Sequence, residues 1–132
     1  MSSVYDRNRS HTGFTPIDNA ADLMDEVTRY VIKEKYVSKK LRYLLGDDLI
    51  RKADEIYDNV TFANEIYASK ENIRRRRAYW NRAVACCKQL DRKLQRLRNI
   101  NPEATADSMK DILKLLSGEK KAIAERLERE RG

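Results

Sequence analysis

Residues 70–100 read KENIRRRRAYWNRAVACCKQLDRKLQRLRNI, with apolar side chains repeating every seven residues. The repeat falls on Ile73, Trp80, Cys87 and Leu94, and the turns between them add Val84, Leu90 and Leu97. Steps of three and four residues put these positions on one side of an α-helix, as in coiled coils. The stretch has no Gly or Pro to interrupt it. It therefore predicts one long amphipathic helix over residues 70–100, capped by Ser69.

Two apolar stripes precede this helix. The nearer one predicts a second helix over about 44–68, and its members are Leu45, Leu49, Ala53, Ile56, Val60, Ala63 and Tyr67. The earlier one predicts a first helix over about 19–38, and its members are Leu23, Val27, Tyr30 and Val31. We expect Asp18 to provide the N-cap of this first helix.

A start signal follows the long helix at Asn101-Pro102-Glu103. It combines a capping residue, a proline suited to the first helical position and an acid in the first turn. The apolar positions beyond it are Met109, Ile112, Leu113, Leu116, Ile123 and Leu127. They predict a fourth helix over about 102–130, which Gly118 either bends or splits.

The composition agrees with a purely helical fold. The 132 residues include only four Gly and two Pro, whereas β sandwiches and barrels need many turn residues. Four amphipathic helices with short connections predict an all-α protein, an antiparallel four-helix bundle formed by residues 18–132 as one domain. Residues 1–17 show no apolar period and are predicted to form a flexible N-terminal tail.

The net charge of +7 is concentrated in one helix. Residues 70–98 hold 11 basic and 2 acidic side chains, whereas residues 43–69 hold 2 basic and 6 acidic ones. A helix with a single sign of charge is typical of a protein that binds a polyanion. The alternative interpretation is a charged face that is simply solvated.

The predicted nucleic-acid-binding residues all belong to this third helix. Opposite the apolar positions lie Arg74, Arg75, Arg82, Lys88, Arg92, Lys93 and Arg96, and Arg76 and Arg77 flank the apolar side. Arginine predominates among them, and its planar guanidinium suits phosphate. Four arginines in the first turns also oppose the positive end of the helix dipole, which favours an anionic partner.

Few residues are available for catalysis or metal binding. His11 is the one histidine and lies in the predicted tail, and no phosphate-loop, dinucleotide or metalloprotease motif occurs. The neighbouring Cys86 and Cys87 match neither a disulfide nor a zinc site and indicate free thiols in a reducing cytosol. We therefore expect no enzyme activity, no cofactor and no metal.

The N-terminus lacks a secretory signal and no apolar stretch is long enough to span a bilayer, so we expect a cytoplasmic protein without a membrane contact.

Four tyrosines have rings that could stack on nucleobases, namely Tyr43, Tyr57, Tyr67 and Tyr79. We expect them instead to be half-buried between helices.

Residues 42–49 read RYLLGDDL and residues 60–65 read VTFANE, ahead of the basic, Leu-rich third helix. Over residues 20–130 this order resembles the accessory variability determinant (Avd) proteins of diversity-generating retroelements. It is also similar to the four-helix-bundle proteins encoded in intervening sequences of bacterial large-subunit ribosomal RNA genes.

The resemblance has two different functional implications. Avd proteins form pentameric barrels of four-helix bundles, bind RNA and DNA with little sequence preference, and associate with a reverse transcriptase during mutagenic cDNA synthesis. They are encoded by bacteria, phages or mobile elements. The resemblance thus implies a homopentameric accessory subunit. The intervening-sequence proteins imply instead a structural or interaction bundle with no polymerase partner.

Overall fold

A computed structural model describes residues 12–131, and this part of the chain is helical without any strand. Its four long helices are α1 (Thr15–Val31), α2 (Asp47–Glu65), α3 (Ile73–Ile100) and α4 (Lys110–Arg129). A short helical turn, Lys39–Leu41, and a π-helical segment, Arg42–Gly46, run directly into α2. The predicted all-α class is confirmed, and the four helices are consistent with a four-helix bundle.

The helices enclose one hydrophobic core. α1 packs against α2 and α4, and α3 packs against the same two helices. Leu23, Leu49, Ile56, Trp80 and Leu90 are fully buried at the centre. The apolar stripes predicted for α1, α2 and α3 supply these positions, although in α3 Val84 is only partly buried and Ala83 is fully buried. Burial of these side chains is the main stabilising contribution to the bundle.

The first helix begins earlier and ends earlier than predicted. It starts at Thr15 rather than at residue 19, because Asp18 lies inside the first turn and is not its N-cap. The Asp18 carboxylate accepts hydrogen bonds from the backbone N–H groups of Thr12 (2.8 Å) and Gly13 (3.1 Å). Phe14 packs near Trp80, with ring centroids 6.1 Å apart. The predicted tail is therefore wrong for residues 12–17, and residues 1–11 lie outside the described part.

The junction between α1 and α2 explains the end of α1 at Val31 rather than at residue 38. The Arg42 guanidinium donates to the backbone carbonyls of Val31 (3.1 Å) and Ile32 (2.8 Å), which a helix end leaves without partners. Gly46 lies against Val31, and a Cβ at this position would stand 2.9 Å from Val31 Cγ1. Arg42 and Gly46 of the RYLLGDDL stretch thus have structural roles.

At the connection between α2 and α3, both helices are shorter than predicted. α2 ends at Glu65 instead of 68, and Tyr67 is 80% exposed rather than part of the apolar stripe. α3 begins at Ile73 instead of 70, because Ser69 closes a turn ahead of the helix. The Ser69 carbonyl accepts from the N–H groups of Asn72 (3.1 Å) and Ile73 (2.9 Å).

The start of α4 is the largest error of the sequence prediction. Asn101 closes only a turn, accepting from the backbone N–H of Glu103 on its side chain (3.1 Å) and of Ala104 on its carbonyl (3.0 Å). Thr105 and Ser108 then cap each other's backbone N–H groups reciprocally, at 2.9 and 3.0 Å. The helix proper begins at Lys110 and runs to Arg129 through Gly118 without a break.

Candidate nucleic-acid interface

Six of the nine predicted nucleic-acid-binding residues form an exposed surface along α3. We define this basic face by its members, Arg74, Arg75, Arg82, Lys88, Arg92 and Arg96, all of which are exposed. From Arg74 to Arg96 the helix rises about 33 Å at 1.5 Å per residue. The basic face is thus long enough to follow several successive phosphates of one strand.

The side chains between these cations are neutral. Asn81, Ala85, Gln95 and Asn99 are exposed on the same side of α3. Asp91 is the one acid within α3, and its carboxylate lies 3.7 Å from Lys120 of α4. Asp91 is three residues from Lys88 and partly exposed, so it lies at the edge of the basic face, over which positive charge predominates.

Arg76 does not belong to this interface, so its predicted role is wrong. Its side chain is 6% exposed and its guanidinium donates to both carboxylate oxygens of Glu130, at 2.7 and 2.8 Å. Nη1 donates to the backbone carbonyls of Ala63 (3.0 Å) and Ile66 (2.7 Å). Four of the five guanidinium N–H groups are thus engaged within the chain, and Arg76 is buried away from the basic face.

Arg77 and Lys93 are also engaged within the chain, in contrast to their predicted roles. Arg77 donates from Nη1 to the backbone carbonyls of Leu127 and Glu130. Lys93 is half-buried and forms an ion pair with Asp48 of α2. The hydrogen bond from Lys93 lowers the pKa of Asp48 below its usual range. A phosphate would have to compete with Asp48 for Lys93.

A groove beside the C-terminal half of the basic face concentrates positive charge. It has a volume of about 500 Å³ and is lined by Lys52, Gln89, Arg92, Lys93 and Arg96. Lys52 comes from the acidic helix α2 and pairs with Glu55 at 3.0 Å. Lys52 was not among the predicted binding residues, all of which belong to α3. The position of Lys52 in the sequence, four residues after Asp48, does not indicate that it lies beside Arg92 in the folded chain.

The tyrosines divide into two groups. Tyr57 and Tyr79 are partly buried against the core, as predicted. Tyr43 and Tyr67 are 87% and 80% exposed, so the expectation that they pack between helices is wrong. Tyr79 makes a cation–π contact with Arg82 of the basic face, whose Cζ atom lies 4.9 Å from the ring centroid. Aromatic rings therefore adjoin the basic face at the start of α3.

The remaining reactive groups are held inside the bundle. Burial raises the pKa of the Cys87 thiol to about 12, and burial also raises the pKa of Cys86. Within residues 12–131, no cluster of three or more His, Cys, Asp or Glu side chains is placed to hold a metal ion. No helix of that part has both the length and the apolar content needed to cross a bilayer. His11 lies outside it.

No protein-family model matches this chain, and no significant match exists among curated proteins or solved structures. The resemblance to the Avd and intervening-sequence proteins therefore stays a prediction.

Proposed function

We propose that this protein is a non-enzymatic nucleic-acid-binding protein that contacts the phosphate backbone through the basic face. The observation that supports this most directly is the exposure of all six of its cations, with Asp91 as the one α3 carboxylate near them. In an ordinary solvated helix face the two signs alternate, because opposite charges three or four residues apart stabilise each other. Apart from Lys88, which is three residues from Asp91, the cations of the basic face have no such partner within α3, and a polyanion would supply one.

Binding through such a face has a definite physical character. Arginine and lysine contacts to phosphate fix the position of the strand but read no base, so affinity depends little on sequence. Each phosphate contact releases condensed counterions, so the affinity falls steeply with salt. The groove lined by Lys52, Arg92 and Arg96 is the place where we expect one phosphate to be held by several cations at once.

We further propose the finer role that the sequence resemblance implies. The protein would act as an accessory subunit of a reverse transcriptase in a diversity-generating retroelement. Its antiparallel four-helix bundles would assemble into a pentameric barrel. Five copies carrying +7 each would present about +35, which is a field strong enough to gather RNA.

The alternative is a structural or interaction bundle of the intervening-sequence type, with no polymerase partner. A specific observation favours a protein contact: Tyr43 and Leu44 are 87% and 64% exposed on the π-helical segment. Ile32, whose carbonyl accepts from Arg42 in that segment, is 63% exposed. Large apolar side chains left exposed at one junction of a fold are typical of interaction sites. This surface fits either self-assembly or a partner protein.

Three measurements test the proposal. Fluorescence anisotropy with labelled RNA and DNA of unrelated sequences should give similar affinities that fall linearly with salt on logarithmic axes. Coexpression with a reverse transcriptase encoded beside the gene should yield a complex, and light scattering should give a mass several times that of one chain. Salt-sensitive binding without any polymerase complex would support the nucleic-acid role and contradict the retroelement role.

A further inference from the structure

An aromatic pocket lies where α2 ends and α3 begins. We define it by Phe62, Tyr67 and Tyr79, with Arg75, Asn72 and Glu65 around them. Its volume of about 370 Å³ falls at the lower end of the range of about 300–1,000 Å³ typical of small-ligand sites. It is formed by the hairpin alone, and of its lining side chains Ile66 is buried and Tyr79 is partly buried against the core.

Two of the three aromatic rings of this pocket are exposed, and Tyr79 is partly buried. Tyr67 is 80% and Phe62 is 48% exposed. Phe62 and Tyr79 hold each other in a tilted contact, with centroids 5.5 Å apart and an angle of 58° between the rings. Arg82 lies over Tyr79 at 4.9 Å. The pocket is thus a preformed aromatic surface whose outer ring, Tyr67, has a face available to another planar group.

The aromatic pocket is continuous with the basic face. Arg75 belongs to both, and Arg82 of the basic face stacks on Tyr79. A strand whose phosphates follow the basic face towards the start of α3 would therefore bring its bases to the aromatic rings. Alternating phosphate contacts and aromatic stacking are the features by which proteins hold single strands.

The polar groups of the pocket favour a base over a phosphate. The Glu65 carboxylate repels a phosphate but can accept a hydrogen bond from an exocyclic amino group. The side-chain amide of Asn72 can both donate a hydrogen bond to a base edge and accept one from it. A base within a duplex has both faces covered by its neighbours, so only an unpaired base can enter.

We propose that the aromatic pocket binds an unpaired nucleobase, so that the protein prefers single-stranded nucleic acid to a duplex. This inference rests on the proposed nucleic-acid function. Tyr67 provides the stacking surface, Phe62 and Tyr79 form its walls, and Arg75 holds the adjoining phosphate. Because stacking tolerates every base, the pocket adds strand selectivity without sequence selectivity.

The test compares three probes of equal length: a labelled single-stranded oligonucleotide, its abasic analogue with the same phosphates, and a duplex. We expect the protein to bind the single strand about tenfold more tightly than the abasic chain, the size of one stacking contact. Tyr67→Ala should lose that factor on the single strand and nothing on the abasic chain. Ile100→Ala is the control, because it removes an exposed apolar side chain from the other end of α3.

The outcomes separate the two proposals. Equal affinity for the single strand and the abasic chain would overturn the nucleobase site and leave backbone binding intact. An equal loss on both probes in Tyr67→Ala would also overturn it, since the tyrosine would then act on phosphate or on the fold. A protein that binds none of the three probes would overturn the proposed function together with this inference.

Discussion

Arg76 and Glu130 form a two-pronged ion pair that joins the start of α3 to the end of α4. The Nε–Oε1 and Nη2–Oε2 distances are 2.7 and 2.8 Å, and the side chains are 6% and 9% exposed. Trp80 Nε1 donates to the same carboxylate at 3.0 Å. The arginine also caps the last carbonyls of α2. One residue of the four-arginine run thus connects three helices.

The first prediction concerns this ion pair. Glu130→Ala should lower the free energy of unfolding by about 3–5 kcal/mol, because it leaves Arg76 charged and buried without its partner. Arg74→Ala, two residues away but exposed, should change it by about 0.5 kcal/mol or less. Chemical denaturation of both variants measures the difference. Equal effects of the two substitutions would contradict the assignment of Arg76 as a structural residue.

The same pair sets a direction for the pH dependence. Burial alone would raise the pKa of Glu130, but hydrogen bonds from Arg76 and Trp80 outweigh it and lower the pKa. A carboxyl with a lowered folded pKa contributes stability above its unfolded pKa and loses it as the pH falls through the folded value. The acid limb of the stability curve should therefore be less steep in Glu130→Gln than in the wild type.

The second prediction concerns Glu119, which is fully buried in α4 with neither carboxylate oxygen hydrogen-bonded to a described residue. Burial raises its pKa to about 9. Its contribution to stability is complete below the unfolded pKa and is lost as the pH rises through the folded value. The free energy of unfolding at pH 7 should therefore be reduced on the order of 3 kcal/mol by this group.

Glu119→Gln tests that prediction, since glutamine has nearly the same shape and does not ionise. We expect the wild type to lose stability steadily between about pH 5 and 9, and the variant to lose much less over that window. Thermal melts at several pH values measure both. Parallel curves for the two proteins would show that the Glu119 carboxyl reaches solvent or a partner in the folded state.

The third prediction compares two helical glycines. Gly46→Ala should destabilise by about 1–3 kcal/mol, the usual cost of overpacking, because the added Cβ would stand 2.9 Å from the stiff Val31 side chain. Gly118→Ala should stabilise by about 0.5–1 kcal/mol, since its Cβ would meet only Asn19 Nδ2, at 3.6 Å. Melting temperatures that shift in the same direction would contradict the described packing at the α1–α2 junction.

The sequence predicted the helices well where their faces are set by local periodicity. Leu49, Ala53, Ile56, Val60 and Ala63 lie at steps of three and four, and all five are buried. Such a pattern needs no knowledge of the rest of the chain, because a helix with one apolar face has to bury it.

The helix ends and the roles of individual arginines could not be predicted from local periodicity. Arg76 lies one turn before Trp80 on the apolar side, which hinted at burial, but its partner Glu130 is 54 residues away. Phe14 was assigned to a tail, and only the fold brings it to Trp80 and places Arg126 4.9 Å from its ring centroid. Contacts between distant segments decided these positions, and no local pattern encodes them.

The central claim is that the basic face of α3 binds the nucleic-acid backbone, and two charge-reversal variants test it most directly. One carries Arg74→Glu, Arg75→Glu, Arg82→Glu and Arg92→Glu. The matched control carries Lys40→Glu, Lys110→Glu, Lys114→Glu and Lys121→Glu, all exposed and all outside α3. Each set changes the net charge from +7 to −1, so the variants differ only in where the charge lies. Both should stay helical, because Glu is about as good a helix former as Arg or Lys.

The decisive measurement is the anisotropy of labelled RNA and DNA titrated with each protein over a range of salt. We expect the basic-face variant to lose binding to both nucleic acids. The control should keep the wild-type salt dependence, with a slope of about −0.7 to −0.9 per phosphate contact. A basic-face variant that binds as tightly as the control, with the same slope, would contradict the account.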